Sequence, residues 1–473
     1  MTEPVIIQGG MGVAVSDWKL VSTVARTGQL GVLSGTGLDS VFVRRLQLGD
    51  AGGHIRRALA HFPVPAIANR ILERYYIAGG KEPETPFRLA PIFTARPSIA
   101  LQQLTVVANF VEVFLAKEGH NGAVGINLLE KVQLPNLSSL YGAMLAGVDY
   151  VCMGAGIPRE IPGALDGLSR HEKVSLKLHV HGACDEDDYR CWFDPSAVIG
   201  SAALALRRPK FLAIVGAAAL ALALARNSSG RVDGFVLEGH VAGGHNAPPR
   251  GPLRLSRQGE PVYGPRDEPD LAKMRALGVP FWLAGSYDSP GRLREALDAG
   301  ACGVQVGTAF AFSRESGFVA EVKSQVVDHA LRGQAHVFTD PRVSPAGFPF
   351  KVVSRRDSLS NGLVYAARRR VCDLGYLRQP YKRQDGTLGY RCPAEPALDY
   401  LRKGGRADET VGRKCLCNAL MASVGLAQVR NAGYVEQFLV TAGDCLRALS
   451  RFGATRRPSY SALEVMEYLL QPA

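Results

Sequence analysis

No unbroken apolar run in this chain is as long as a bilayer-spanning helix. The longest apolar run, Phe211–Ala225, has 15 residues, whereas a spanning helix needs about 20. Gly216 and the Ala/Leu alternation after it read instead as a strand end passing into a buried helix. A charged-then-apolar leader is missing from the start, Met1-Thr-Glu-Pro-Val-Ile-Ile7, which already suits a strand. CxxC pairs are also missing. The nine cysteines are odd in number and irregularly spaced, which in a long chain points to reduced thiols and a cytoplasmic location. There is no aromatic-interleaved basic stripe, no nucleic-acid motif and no low-complexity linker. Neither a membrane nor a nucleic acid is therefore an expected partner.

What is present is a globular, turn-rich composition: 473 residues, 47% hydrophobic, 21% charged, with 52 glycines. The length suits one large α/β domain with additions, or two to three smaller domains. The formal charge of +12 is spread thinly, with short clusters at Arg207-Arg208, Arg355-Arg356 and Arg368-Arg369-Arg370. Such a surface suits an anionic substrate, a phosphate-bearing cofactor or an acidic carrier protein better than DNA.

The first 310 residues repeat one pattern, a short apolar strand, a Gly-rich turn and a helical stretch. Strands are expected at Val5–Gln8, Gly31–Leu33, Val124–Leu128, Asp149–Met153, Lys210–Val215, Val232–Leu237, Pro280–Leu283 and Gly303–Val306. Eight such units in series predict an α/β fold, a (β/α)8 TIM barrel. Two separations exceed one unit and are expected to be insertions, at about 36–123 and 157–209. The strand-like Val174–Val180 belongs to the second insertion. From residue 311 to 473 the pattern changes to helices and loops rich in Pro, Arg and Cys, a mostly helical, Cys-containing extension packed on the barrel.

Barrel enzymes keep their chemistry at the C-terminal ends of the strands. The sixth expected strand ends in Glu238-Gly-His-Val-Ala-Gly-Gly-His245, an acid, three glycines and two histidines within eight residues. Glycine admits close approach to a ligand, and histidine moves protons near neutral pH. A turn carrying solvated histidines is the plainer reading. The loops after strands seven and eight, Ala284-Gly285-Ser286 and Gln305-Val306-Gly307-Thr308, lie where such barrels often hold phosphate. Free backbone N–H groups and the Thr308 hydroxyl would form an anion cradle there.

With Gly9-Gly10-Met11 after the first strand, Ala242-Gly243-Gly244-His245 after the sixth, and Gly285 followed by Gln305-x-Gly307-Thr308, the chain resembles the nitronate monooxygenase family. That family was formerly called 2-nitropropane dioxygenase and also contains FMN-dependent enoyl-acyl carrier protein reductases. The resemblance covers roughly residues 4–312 apart from the insertions, and implies FMN in a TIM barrel without a metal. Carried over residue by residue, it places Gly10 and Met11 along the flavin ring, with Asn127 at its polar edge. Glu238 stands where many relatives have a glutamine contacting the flavin, and Gly243 allows the ring to approach. Gly285, Gly307 and Thr308 would hold the phosphate with Gln305 beside them, and His245 matches the catalytic histidine. Two positions depart from the pattern. Ser286 replaces the second glycine after strand seven. Glu238 puts a carboxylate where an amide is usual, which repels electron density at a reduced flavin unless it is protonated or paired.

The resemblance implies two reactions. One is oxidation of alkyl nitronates or nitroalkanes with O2, in which His245 abstracts an α-proton or steadies the nitro group. The other is reduction of an enoyl thioester with NAD(P)H, in which an acyl carrier protein presents the substrate. A non-catalytic scaffold is a third possibility, against which the glycine loops argue. His240, Arg159, Asn246 and Arg250 are secondary candidates at the mouth, for loop positioning or anion binding. Cys372, Cys392, Cys415 and Cys417 fall within 46 residues. Buried free thiols are the plain reading, zinc or a redox pair beside Arg413 and Lys414 the sharper ones.

Overall fold

The computed structural model describes residues 3–200, 205–452 and 459–472. Eight parallel strands close into a barrel in chain order, Ile6–Gln8, Leu30–Ser34, Val124–Leu129, Tyr150–Gly154, Lys210–Val215, Gly234–Glu238, Phe281–Ala284 and Gly303–Val306, the last pairing with the first. All eight lie within one or two residues of the expected strands. Their short, apolar, β-rich runs have both faces covered, as a parallel barrel requires. Ile7, Val32, Cys152, Leu212, Val236 and Trp282 fill the barrel interior. Gly234 makes room for that filling, since a Cβ there would lie 2.9 Å from the Trp282 ring. The indole N–H donates to the Pro4 carbonyl at 2.7 Å, satisfying the one polar atom of this buried ring.

The first insertion contributes helices Leu38–Gln47, His54–Leu59, Pro65–Tyr75 and Ile99–Lys117. Ile99–Lys117 is 19 residues long and apolar enough to cross a membrane by length and composition, yet 78% of its most apolar window is buried. It packs against Gln133–Leu145, the helix after the third strand. In the second insertion, Val174–Lys177 pairs antiparallel with Arg190–Phe193, outside the barrel. The apolar run at Phe211–Ala225 divides into the fifth strand and helix Ala218–Asn227.

Beyond residue 311 the chain is less purely helical than its composition suggests. It carries helices Ala320–Leu331, Leu416–Ser423 and Ala462–Leu469, but also two antiparallel ladders, Val337–Asp340 with Phe350–Val353 and Gln379–Lys382 with Leu388–Arg391. These strands are four residues each, too short for alternation to stand out among Pro and Arg. Strand Phe350–Val353 lies against the loop after the sixth barrel strand. Lys351 N–H donates to the Gly244 carbonyl and Asn246 N–H to the Pro349 carbonyl, both at 2.9 Å. Tyr376 donates its hydroxyl to Asp39 at 2.6 Å, and Gln428 brackets the Phe87 backbone at 2.7 and 3.0 Å. The late chain therefore bridges the barrel mouth and the first insertion.

Candidate active site

The C-terminal ends of the strands surround a cavity of about 230 Å³. Gly10 and Met11 line it from the first strand's loop, Asn127 from the third strand, and Glu238, Gly243 and His245 from the sixth and its loop. Gly285, Gln305, Gly307 and Thr308 line it from the seventh and eighth. Parallel strands all end on one side of the sheet, so loops far apart in sequence meet there.

Burial decides the charge of the two titratable groups. Glu238 has no ion-pair partner among the described residues, and desolvation raises its carboxyl to about 8. At neutral pH it is therefore a neutral acid with an O–H to donate, closer to an amide than to a carboxylate. Desolvation likewise lowers His245 to about 4, so the imidazole is neutral. Both side chains are half-buried and line the cavity. His245 Nε2 shares a hydrogen bond with Ser344 Oγ at 2.7 Å, and its ring meets Phe350 edge-on at 4.8 Å. Nε2 is thus tied to the late chain, and Nδ1 is the nitrogen without a protein partner among the described residues.

Asn127 donates through Nδ2 to the Gly10 carbonyl at 3.0 Å. Its Oδ1 is buried without a hydrogen-bond partner. An unpaired buried acceptor is uncommon and marks this position on the cavity wall. On the opposite side, the backbone N–H groups of Gly285, Ser286, Gly307 and Thr308 make no hydrogen bond to a described residue. Gly285 has φ +99° and Ser286 φ +58°, so Ser286 keeps the left-handed backbone that a second glycine would adopt freely.

Ten residues expected from the sequence thus share one cavity, but the late chain adds a roof that the sequence did not reveal. Tyr376, Leu377, Leu416, Cys417 and Leu420 line it, as do Thr441, Ala442, Gly443 and Cys445. Gly443 N–H donates to Thr308 Oγ1 at 2.8 Å, and Gly244 N–H donates to Thr441 Oγ1 at 3.0 Å. A Cβ on Gly243 would lie 2.8 Å from Gly443 N and 2.9 Å from Ala442 C. Gly243 therefore admits the backbone of the extension, a role beyond the ring approach the resemblance implies. The only sequence hint was the small-residue run Thr441-Ala442-Gly443, which has no periodicity.

A second cavity, of about 540 Å³, adjoins the first at Glu238 and His245, with Ile157, Ile214, Leu220 and Phe348 among its apolar walls. Asn246 lines this second cavity, whereas Arg159 and Arg250 are exposed on the surface. His240 stacks on Tyr263 at 4.4 Å and lines neither cavity. Among the described residues no three His, Cys, Asp or Glu side chains are arranged to hold a metal.

No family model matches the chain, and no curated protein matches it. Solved structures to which it is similar include FabK from Thermotoga maritima, at 15% identity and TM-score 0.47, covering 99% of this chain and 92% of that one. Nitroalkane oxidase from Streptomyces ansochromogenes matches at 16% identity and TM-score 0.45, covering 98% and 94%. The enoyl reductase domain of MlnA, from the macrolactin biosynthesis cluster of Bacillus amyloliquefaciens, matches at 12% identity and TM-score 0.46, covering 99% and 95%.

Proposed function

We propose that the chain is an FMN-dependent oxidoreductase that oxidises alkyl nitronates and nitroalkanes with O2. The observation that carries this reading is the pair of uncharged titratable groups, Glu238 and His245, on the wall of one cavity at the barrel mouth.

The residues present fit FMN. Asn127 Oδ1 is an acceptor for a ring N–H, Glu238 is a neutral donor, and the free N–H groups of Gly285, Ser286, Gly307 and Thr308 suit a phosphate. Met11 and Gly10 would lie along the ring, Gly243 would leave it room, and Gln305 would sit beside the phosphate. When bound, FMN supplies the electron acceptor that side chains lack.

His245 acts on the substrate as a neutral base. Its Nδ1 can take the α-proton of a nitroalkane because the ring is not already protonated, and Nε2 is steadied by Ser344. Once protonated, the ring lies beside the anion it has made and offsets its charge. Glu238, kept uncharged, does not repel that anion. The enclosing walls, including Val13, Ile214 and Phe318, exclude water and strengthen both interactions.

A second reading, reduction of an enoyl thioester with NAD(P)H, is favoured by the second cavity. Its volume of about 540 Å³, lined by Glu130, Lys131 and His179 as well as by apolar walls, opens at Glu238 and His245, more space than a short nitroalkane uses, and within the range of ordinary ligand pockets. The formal charge of +12 would suit an acidic acyl carrier protein delivering such a substrate.

Anaerobic mixing separates the two. Bleaching of the yellow protein by propionate 3-nitronate or a nitroalkane, and not by NADPH, supports the first reading. Rapid bleaching by NADPH supports the second. A purified protein whose extract contains no FMN refutes both.

A further inference from the structure

The two cavities at the barrel mouth share Ala155, Ile214, Glu238 and His245 as a common wall. The second is the larger, at about 540 Å³, and local geometry makes its room. Gly216 follows the fifth strand and faces the loop after the sixth, where a Cβ would lie 3.1 Å from the Ala247 Cβ. Helix Ala218–Asn227 buries Ala218, Ala221 and Leu224. Leu220 lies off that buried face and lines the cavity with Ile157 and Phe348. Three ionisable side chains, Glu130, Lys131 and His179, line it away from the common wall.

Two of these three have protein partners. Glu130 Oε1 accepts from Gln133 Nε2 at 3.3 Å and lies 3.5 Å from His179 Nδ1. Gly156 leaves the space that the Glu130 carboxyl fills, since a Cβ there would strike it. Burial raises that carboxyl to about 7, so near neutral pH much of its charge is lost. The Lys131 ammonium, in contrast, makes no hydrogen bond or ion pair to a described residue. It lies over the Phe348 ring, 6.0 Å from the centroid. The same ring is 6.3 Å from the ring of His245, centroid to centroid. Phe348 thus links an unpaired cation to His245, and the two steps limit their separation to about 12 Å.

We propose that the second cavity takes the carbon chain of the substrate, and that the substrate is a medium-chain molecule whose far end is a carboxylate paired with Lys131. The inference rests on the oxidoreductase reading in placing the reacting carbon at His245, and it names the substrate class of that site. Ile157, Ile214, Leu220 and Phe348 bury the methylenes, and one ammonium away from His245 fixes which way the chain lies. With C–C bonds of about 1.5 Å, a chain of about six to ten carbons covers such a span. The tail of an ordinary acyl thioester carries no charge, so the unpaired ammonium favours a free acid.

The full-length protein, as purified, is titrated calorimetrically with butyrate, hexanoate, octanoate and octylamine, none of which has a nitro group or a double bond to react. Affinity is expected to rise about fourfold per methylene from butyrate to octanoate, with octylamine weaker than octanoate. Lys131→Met alters an exposed side chain, so the fold is not at stake, and octanoate should bind about two- to fivefold more weakly, the effect of an ion pair at the solvent edge. Leu220→Trp fills the cavity and should cost octanoate about tenfold or more while butyrate changes little. Equal affinity along the series, octylamine as tight as octanoate, or octanoate binding unaltered by Lys131→Met would each overturn the proposal. Protein that holds FMN and is bleached by a nitroalkane, yet gives one of those results, keeps the oxidoreductase reading and loses this one. Protein without FMN loses that reading, and the two variants, which need no turnover, still decide what the second cavity binds.

Discussion

Gly443 donates its backbone N–H to the hydroxyl oxygen of Thr308 at 2.8 Å, joining the extension to the loop after the last barrel strand. Asp444 N–H reinforces the junction by donating to the Val241 carbonyl at 3.0 Å. Thr308→Val keeps the shape and removes the acceptor, leaving Gly443 N–H buried and unpaired. A loss of about 1–3 kcal/mol is expected, measured by urea unfolding. An unchanged midpoint would show that the junction adds nothing to stability.

Ser286 occupies a left-handed backbone conformation at φ +58°. Ser286→Gly relieves that strain and should stabilise the protein by about 1 kcal/mol, read as a higher Tm. The N–H groups of the loop are unaltered, so flavin content should not change.

Glu238 links stability to pH. Its carboxyl is raised to about 8 in the folded protein from an ordinary 4.5, so between these values the folded state holds a proton that the unfolded chain has released. Its contribution is complete below about 4.5 and is lost as pH rises toward 8, at up to about 1.4 kcal/mol per pH unit. Glu238→Gln should flatten that limb, gaining on wild type from pH 5 to 8 while retaining flavin. Parallel wild-type and variant curves across this range would mean that Glu238 is ionised in the folded state.

His245 has the opposite sign. Its folded value, about 4, lies below the ordinary 6.5, so its contribution is present above 6.5 and lost as pH falls toward 4. His245→Ala should remove that acid-side dependence, retain flavin, and lower kcat by about 10²–10⁴. Wild-type turnover in the variant would remove His245 from the chemistry.

The eight barrel strands were legible because each is a local apolar run, seven of the eight followed closely by glycine, and hydrophobic periodicity is a property of neighbours in sequence. The site residues on those strand ends were legible for the same reason. Position on a strand's C-terminal end is enough to bring Asn127, Glu238, Gly285 and Thr308 into one cavity once the sheet closes.

What the sequence determined was therefore the barrel, its mouth and the motif Gly243-Gly244-His245. Tertiary structure alone decided what covers that mouth and which charges survive there. Thr441–Cys445 reaches the glycine loops from 135 to 197 residues away in sequence, held by the hydroxyls of Thr308 and Thr441 on backbone N–H groups, and no local pattern announces such a contact. Glu238 reads as a carboxylate in sequence and is a neutral acid in the fold, because its protonation depends on the water it loses, and desolvation is set by every element that packs around it.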